Sequence, residues 1–384
     1  MSDHTTPKKK KKDYTGVIVY AVLLVICGCA GWFGADFINA NLGGEAFFLN
    51  LLIALVGMYL AFFLQIILHE SGHLIFGLLT GYSFVSINVF GFIWQKDAEG
   101  KLRLGRMQIA GAGGQCLMAP PEYNGGRFPY ALYNLGGVLA NLLAAALFAL
   151  LAAVIPVGWV RILLAMQVVV GVASALLNGL PIPVAAIQND GKNLLCIHQD
   201  EAARRAFWVQ MSVATELARG RRIKSLPEEW FAAFPEEKMD NPIVCAVAVL
   251  NTSRLMDMLD FDAAEREIRT LLARETGLVG LYRMSMCCDG AVCELIAGRP
   301  GSLTEALSTK ENQQLMKAMK TFPSILRAQY AVALLKEKDP VRAQKLLADF
   351  DAAAKKHPNP QEIVGEREIL QVIQATAAKE QSEA

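Results

Sequence analysis

Residues Leu64–Gly81 read LQIILHESGHLIFGLLTG, and they place two histidines and a glutamate inside an otherwise apolar run. The run begins upstream near Ala46, so it exceeds the roughly 20 apolar residues that a helix needs to cross a bilayer. Ionisable side chains are costly to bury in lipid, and they usually mark functional sites there. The segment therefore predicts a membrane-spanning helix that carries chemistry near one end.

Three further apolar runs divide the chain into a membrane half and a soluble half. Of the 384 residues, 53% are hydrophobic and 19% are charged, but the long apolar runs stop near residue 187. The four predicted spans are Thr15–Phe37, Ala46–Leu68 with a helical extension to about Leu79, Tyr130–Val157 and Ile162–Leu180. The predicted organisation is a basic tail over residues 1–14, a membrane domain over 15–192 and an α-helical domain over 193–384.

Basic residues lie on alternate sides of the predicted spans. Lys8–Lys12 precede span one, five basic residues separate spans two and three, and Lys192 follows span four, whereas the other two loops hold only Arg161. The positive-inside rule then places both termini in the cytoplasm, and we expect the plasma membrane of a bacterium. A cleaved signal peptide is the alternative for span one, but no convincing cleavage site follows it. The lysine block next to an apolar run and a net charge of +1 do not favour a nucleic-acid partner.

His69, Glu70 and His73 form an HExxH motif. On a helix, positions i and i+4 share a face, so both imidazoles can bind one zinc ion while Glu70 reaches a water beside it. The alternative is a pair of hydrogen-bonded histidines in a polar bundle interior. Because ionisable groups are rare at membrane depth, the motif favours a metal site.

A catalytic zinc ion usually has three protein ligands, so the third must come from another segment. The histidines His198 and His357 are possible, but a better candidate lies in LNGLPIPVAAIQNDGKN, which contains Asp190. Prolines in this segment break the helix, and irregular backbone at membrane depth survives only where it is buried or lines a wet cavity. The alternative is an ordinary polar stop with an Asp-Gly turn. His69 lies about 35 Å from the outer end of span two at 1.5 Å per residue, so His69 and Asp190 both reach the cytoplasmic face.

At these residues the chain resembles the site-2 protease family of intramembrane zinc metalloproteases. HESGH matches the family's HExxH, and Asn178, Pro181 and Asp190–Gly191 match its Asn-x-x-Pro…Asp-Gly motif. In the stretch LGGVLANLL, Gly137 and Asn141 occupy the places of a Gly-x-x-x-Asn motif. The resemblance covers about residues 46–192.

The resemblance implies one zinc ion per chain and hydrolysis of peptide bonds in membrane-anchored protein or peptide substrates near the cytoplasmic face. Such proteases release membrane-tethered regulators or trim signal-peptide remnants. The implied zinc ligands are His69, His73 and Asp190, with Glu70 as the general base. Asn141 and Asn178 are implied as polar helpers that steady the oxyanion.

Residues 83–115 alternate apolar and polar side chains around a turn at Asp97–Gly100, which predicts a β-hairpin at the membrane surface. Its edge is expected to pair with an extended substrate, and the alternative is a structural hairpin that plugs the site. The segment AGAGGQ, Ala110–Gln115, lacks the GKS/T ending of a phosphate-binding loop, so a nucleotide site is rejected. Its glycines are expected to permit close backbone approach.

The soluble half is predicted to be all-α, with three similar helix junctions around Ala264, Ala306 and Ala343. Their spacing of 42 and 37 residues is near that of helical repeats, and a plain helical bundle is the alternative. A repeat-like domain would bind a cytoplasmic protein partner, and the tail after about Thr376 is expected to be disordered.

Two other function classes are weighed against the protease. A membrane scaffold with a structural zinc site would need only the ligands, so the retained Glu70 argues against it. A transporter is disfavoured because four spans without repeat symmetry do not match the usual transporter architecture.

Overall fold

The structure is a computed structural model, which describes residues 34, 37, 38, 40, 41, 47–97, 100–106, 113–181, 189–274, 278 and 280–383. The predicted N-terminal tail and nearly all of the predicted first span, Thr15–Phe37, lie outside these residues. Pro183 and Ala110 lie outside them as well.

Three long apolar helices form the membrane half: α1 (Phe47–Leu79), α2 (Ala131–Val154) and α3 (Gly158–Gly179). Within the described residues, these three are long and apolar enough to cross a membrane, against the four spans predicted for the whole chain. Each exposes large apolar side chains; Leu150, for example, is 69% exposed. A bundle whose outer surface is apolar in this way is suited to a lipid environment rather than to water.

Glycines bring α1 and α2 into close contact beside the HExxH motif. A Cβ atom on Gly72 would collide with the carbonyl oxygen of Gly136, and one on Gly136 would lie 2.6 Å from the carbonyl oxygen of Gly72. Small residues of this kind allow membrane helices to approach at backbone distance. The crossing therefore places His69 and His73 of α1 directly against α2.

A four-stranded antiparallel sheet connects α1 to α2, with strand order β3-β2-β1-β4. Its strands are β1 (Ser83–Val89), β2 (Phe92–Lys96), β3 (Leu102–Arg106) and β4 (Gly114–Ala119). The predicted hairpin is confirmed as β2–β3, because Gly100 N–H and Lys101 N–H both bond to Asp97. The prediction of a single hairpin was incomplete, since β1 pairs with β2 through a turn at Phe90–Gly91 and β4 returns to pair with β1.

Positive φ angles at Phe90 (54°) and Gly91 (81°) make this β1–β2 turn of the type that matches the twist of a hairpin. The alternation of apolar and polar residues could not reveal β4, because its partner lies about 30 residues upstream and the contact is non-local.

The described residues of the soluble half form helices and the loops between them, without strands. Its helices are α4 (Asp190–Gln199), α5 (Glu201–Ala218), α6 (Pro242–Asp257), α7 (Phe261–Ala273), α8 (Gly280–Ile296), α9 (Ser302–Ala306), α10 (Lys310–Ala318), α11 (Pro323–Ala331), α12 (Pro340–Ala354) and α13 (Pro360–Glu383). Helix α4 runs across the predicted boundary at residue 192. Of the three similar junctions, Ala264 and Ala343 are buried near the starts of α7 and α12, whereas the junction at Ala306 carries only the five-residue α9.

The expectation of a disordered tail after Thr376 is wrong, because α13 continues to Glu383. Ile369, Ile373 and Ala377 recur every fourth residue and are buried in the core of the soluble domain. An apolar stripe at helical spacing is what holds a helix on a core. Of this stripe only Ala377 lies beyond Thr376, so the tail alone carries little of the helical signal.

The soluble domain contacts the sheet through aromatic and polar side chains. Trp208 of α5 donates its Nε1–H to the carbonyl oxygen of Pro121 at 2.8 Å, and Phe207 stacks on Phe128. Gln95 of β2 also donates to the carbonyl oxygen of Ala218, the last residue of α5, at 2.7 Å. The sheet therefore lies between the helical bundle and the soluble domain.

Candidate metal centre

The two histidines of the motif converge as helical spacing predicts. His69 and His73 lie one turn apart on α1, and their Nε2 atoms are 3.2 Å apart. Both rings face α2, where each Nδ1 has an oxygen partner at 2.7 Å: Asn141 Oδ1 for His69 and the Tyr133 carbonyl for His73. The second ring nitrogen of each histidine is therefore fixed in the way common for metal ligands.

Asp190 joins the histidines from the start of α4. Its Oδ2 lies 3.1 Å from His69 Nε2 and 3.5 Å from His73 Nε2. The local backbone is fixed by Asn189, which caps α4 by accepting from Lys192 N–H and donates to the carbonyl oxygen of Leu177 at 2.7 Å. A Cβ atom on Gly191 would collide with the carbonyl oxygen of Gly179. The Asn-Asp-Gly sequence thus lets α4 start against the end of α3, which carries Asp190 to the histidines.

The carboxyl group of Asp190 is ionised in this environment. Burial alone would raise its pKa, but the adjacent His69 and His73 rings outweigh burial and hold the pKa at about 2. An anionic oxygen is a better ligand for a divalent cation than a protonated carboxyl.

The hydrogen-bond pattern leaves three potential ligand atoms facing one another. The partners of both Nδ1 atoms are carbonyl-type oxygens, which only accept, so each Nδ1 carries a proton. Both Nε2 atoms then face each other and Asp190 Oδ2, which is buried. Without an ion, hydrogen bonds from the rings to Asp190 hold these atoms together. A divalent cation that displaced the protons of these bonds would bond to all three atoms.

The distances between the three potential ligand atoms also fit a zinc ion. A tetrahedral zinc ion with bonds of about 2.0–2.2 Å to nitrogen and oxygen separates neighbouring ligand atoms by about 3.3–3.5 Å. The three observed separations are 3.1, 3.2 and 3.5 Å. His69, His73 and Asp190 thus form a ligand set of the right chemistry and size for one zinc ion, with a fourth position left for a water.

Glu70 lies beside the ligands and against the sheet. Its side chain is buried, and a Cβ atom on Gly114 would approach Glu70 Oε1 to 2.6 Å. The backbone of Cys116 hydrogen-bonds to the same carboxylate. Glycine at the first residue of β4 is therefore needed for space, so Gly114 of AGAGGQ contributes to this site.

The two predicted helper asparagines have different surroundings. Asn141 is fully buried, and its Nδ2 donates to Gln65 Oε1 at 2.6 Å while its Oδ1 accepts from His69. Both ends of this amide are occupied, so Asn141 positions the His69 ring. Asn178 donates to the carbonyl oxygen of Ser174 in its own helix at 3.0 Å. Among the described contacts, none brings Asn178 to the three ligands.

The remaining predicted positions are also accounted for. Gly137 makes room for the His69 ring, since a Cβ atom there would collide with it. His198 pairs with the Tyr130 hydroxyl, and His357 with Asn359, so neither histidine joins the site. Pro181 follows the end of α3 at Gly179.

Sequence reasoning missed a buried amide chain that extends the site into the bundle. Gln167 of α3 accepts from Gln65 Nε2 at 3.1 Å, and Gln65 in turn accepts from Asn141, which contacts His69. Gln65 is 1% exposed. The available signal was the presence of glutamines inside spans of low polarity, one of them a helical turn before His69.

No family model, curated protein or solved structure matches the chain. The function is therefore argued from the site itself.

Proposed function

We propose that this protein is an intramembrane zinc endopeptidase of the site-2 protease type. The observation that carries the proposal is the convergence of two imidazoles and one carboxylate at 3.1–3.5 Å, with the Glu70 carboxylate beside them in an apolar helix. A structural zinc site is normally closed by four protein ligands. Three ligands and an adjacent carboxylate are instead typical of a hydrolytic centre.

His69, His73 and Asp190 would hold a zinc ion, which would supply Lewis-acid polarisation of a carbonyl and activation of a water. Glu70 takes the proton from the attacking water and passes it to the nitrogen of the leaving amine. Its position against Gly114 fixes the direction from which it does so.

The sheet supports the role of a surface that presents the substrate. Strand β4 is at the edge of the described sheet and starts at Gly114, next to Glu70. Further along, the Cys116 carbonyl accepts from the Tyr133 hydroxyl at 2.8 Å, so that part of the edge is covered by α2. The proposed pairing with an extended substrate is thereby restricted to the start of β4.

The proposed location of the reaction follows from the end of the helical bundle at which the three side chains converge. The end of α1, the start of α2, the end of α3 and Asp190 all meet there, and the soluble domain contacts the adjoining sheet. With basic residues concentrated in the loops on this side, we propose a cytoplasmic site in a bacterial plasma membrane, with membrane-anchored substrates and a protein-binding role for the soluble domain.

The test uses the full chain in proteoliposomes with a mixture of single-span membrane peptides, whose products are identified by mass spectrometry. Wild type is expected to cleave at least one peptide within or beside its span, and 1,10-phenanthroline is expected to stop cleavage. Glu70→Gln keeps the ligands but lacks the base, so it should retain zinc and lose activity by at least about 100-fold.

Equal products from wild type and Glu70→Gln would contradict the proposal. If neither protein cleaves any peptide while both retain zinc, a non-proteolytic scaffold with a structural ion replaces it.

A further inference from the structure

A chain of three amide groups joins α3 to the His69 ring. Gln65 Nε2 donates to Gln167 of α3, both to its backbone carbonyl at 3.2 Å and to its Oε1 at 3.1 Å. Gln65 Oε1 accepts from Asn141 Nδ2 at 2.6 Å, and Asn141 Oδ1 pairs with His69 Nδ1 at 2.7 Å. Gln65 and Asn141 are 1% and 0% exposed, so protein groups rather than bulk water satisfy their amides.

Backbone carbonyls fix the direction in which the amides of Gln65 and Asn141 point. A carbonyl oxygen only accepts, so the end of an amide that faces it must be the NH2 group. The Gln167 carbonyl faces the Nε2 end of Gln65, and the Gln65 carbonyl faces the Nδ2 end of Asn141 at 3.0 Å. Turning either amide over would place two oxygens against each other in a buried region, which is costly. The oxygen of Asn141 is therefore held toward His69.

The fixed oxygen of Asn141 determines which nitrogen of His69 is available to a metal ion. A ring that binds zinc through Nε2 carries its one proton on Nδ1, where it needs an acceptor. Asn141 Oδ1 is that acceptor, and Nε2 faces His73 and Asp190. A turned Asn141 amide would instead offer an NH2 group to Nδ1. Building on the zinc centre of the proposed function, we propose that Gln65 is a positioning residue that, through Asn141, holds His69 in the form that binds zinc.

The surface of α3 is shaped around the Gln65 amide. Gly171 lies one helical turn after Gln167, and a Cβ atom there would lie 3.1 Å from both Nε2 and Oε1 of Gln65. A side chain at that position would crowd the amide, so glycine provides the space in which it lies. Helix α3 supplies none of the three side chains that converge at the site, yet it orients one of them through Gln65.

The test measures the zinc affinity of the full chain in detergent by competition with a fluorescent chelator. Gln65→Met keeps the length of the side chain but removes both polar ends. It should weaken zinc binding by about tenfold, the lower end of the effect of an outer partner, because Asn141 keeps the Gln65 backbone carbonyl. Gln167→Met is the matched control. It removes an amide from the same cluster but leaves the Gln167 backbone carbonyl that orients Gln65, so it should bind zinc as wild type does.

A double variant and a spectrum separate positioning from a general effect on the bundle. If Gln65 acts through Asn141, Gln65→Met should cause no further loss of zinc affinity in the Asn141→Leu background. The visible absorption of Co²⁺ bound in place of zinc should change in Gln65→Met and not in Gln167→Met, because it reports the geometry of the ligands. Gly171→Ala keeps every polar group but crowds the Gln65 amide, and it takes the place of Gln65→Met should that variant not fold.

Unchanged zinc affinity in Gln65→Met, an equal loss in Gln167→Met, or a further loss in the double variant would overturn the role of Gln65. No zinc bound by wild type would overturn the metal centre and this role with it. Weaker zinc binding by Gln65→Met supports the role even where wild type cleaves no peptide, a result that would contradict only the proposed protease activity.

Discussion

Asn141 and Asn178 show how the surroundings of a side chain determine its role. Both are asparagines in apolar helices and both were expected to assist the reaction. Only Asn141 reaches a ligand, because it lies beside Gly137, where α2 is close enough for the His69 ring. Under the proposed function, such a residue orients a ligand and raises metal affinity without contact with the substrate.

We expect Asn141→Leu to weaken zinc binding by about 10–100-fold, because the His69 ring loses its acceptor. Competition with a fluorescent chelator measures the affinity. Asn141→Asp keeps an acceptor oxygen, so it should restore part of the zinc affinity that Asn141→Leu loses. Asn178→Leu is the matched control and should bind zinc as wild type does, since the Asn178 amide bonds within its own helix. An equal loss in both leucine variants would contradict the assignment of Asn141.

At this scale, the sequence predicts the three side chains that converge at the site well and the residues around them poorly. His69, Glu70 and His73 are fixed by helical spacing alone. Asp190 is the only carboxylate between residues 129 and 199, which made it identifiable as a candidate. Gln65 and Gly114 could not be assigned, because their roles depend on contacts with residues 76 positions later and 44 positions earlier.

Among the elements, α2 and β4 contact the site from different sides. A glycine lies at each of these contacts. Gly137 lies under the His69 ring and Gly114 lies against the Glu70 carboxylate. Because one glycine serves a ligand and the other serves the base, their replacement separates the two functions.

We expect Gly137→Ala to displace the His69 ring and to lower both zinc content and cleavage. Gly114→Ala should displace only the Glu70 carboxylate, so cleavage falls by about tenfold or more while zinc content is kept. Metal analysis measures the zinc content, and the peptide assay measures cleavage. Gly280→Ala is the control, because the nearest atom to its added Cβ is Glu311 Oε1 at 3.7 Å, an ordinary contact. Loss of zinc in Gly114→Ala would refute this division.

The elements themselves were predictable where a pattern is local. The three described spans follow from apolar length, and the β2–β3 hairpin from alternation around Asp97–Gly100. The pairing of β4 with β1 depends on a distant partner, because β1 lies about 30 residues upstream. Non-local contacts of this kind leave no periodic signal in the sequence.

Over the whole molecule, the buried charges of the soluble domain make stability depend on pH. Glu366 faces Arg327 and Asp289, with Glu362 and Asp257 nearby. Burial, opposed only in part by Arg327, raises the pKa of Glu366 from its ordinary 4.5 to about 7. The folded protein therefore retains a proton that the unfolded chain releases at lower pH, and the stability that this proton provides is lost as pH rises from about 4.5 to 7.

We expect the melting temperature of the soluble domain in the full chain to fall by several degrees between pH 5 and pH 8, corresponding to on the order of 2 kcal/mol. Glu366→Gln mimics the protonated side chain, so its melting temperature should vary less over the same range. Circular dichroism in detergent measures the melting temperature of both proteins. A wild-type melting temperature that rises with pH, or an equal slope in Glu366→Gln, would contradict this origin.

The division into a membrane half and a soluble half was readable from composition, since apolar runs and charged residues separate along the chain. How the two halves contact each other could not be predicted from composition, because it depends on individual contacts such as that of Trp208 with Pro121. Helix α4 links them, and it carries Asp190 at its first residue. The soluble domain is thereby joined directly to Asp190, the proposed metal ligand.

The most direct test of the central claim is the zinc content per chain of the purified protein, measured by mass spectrometry for wild type, Asp190→Ala and His357→Ala. The arrangement of His69, His73 and Asp190 predicts about one zinc ion in wild type and in His357→Ala, whose histidine lies outside the site. Asp190→Ala should lose most of it. Zinc retained by Asp190→Ala, or no zinc in wild type after gentle purification in zinc-containing buffer, would contradict the three-ligand centre.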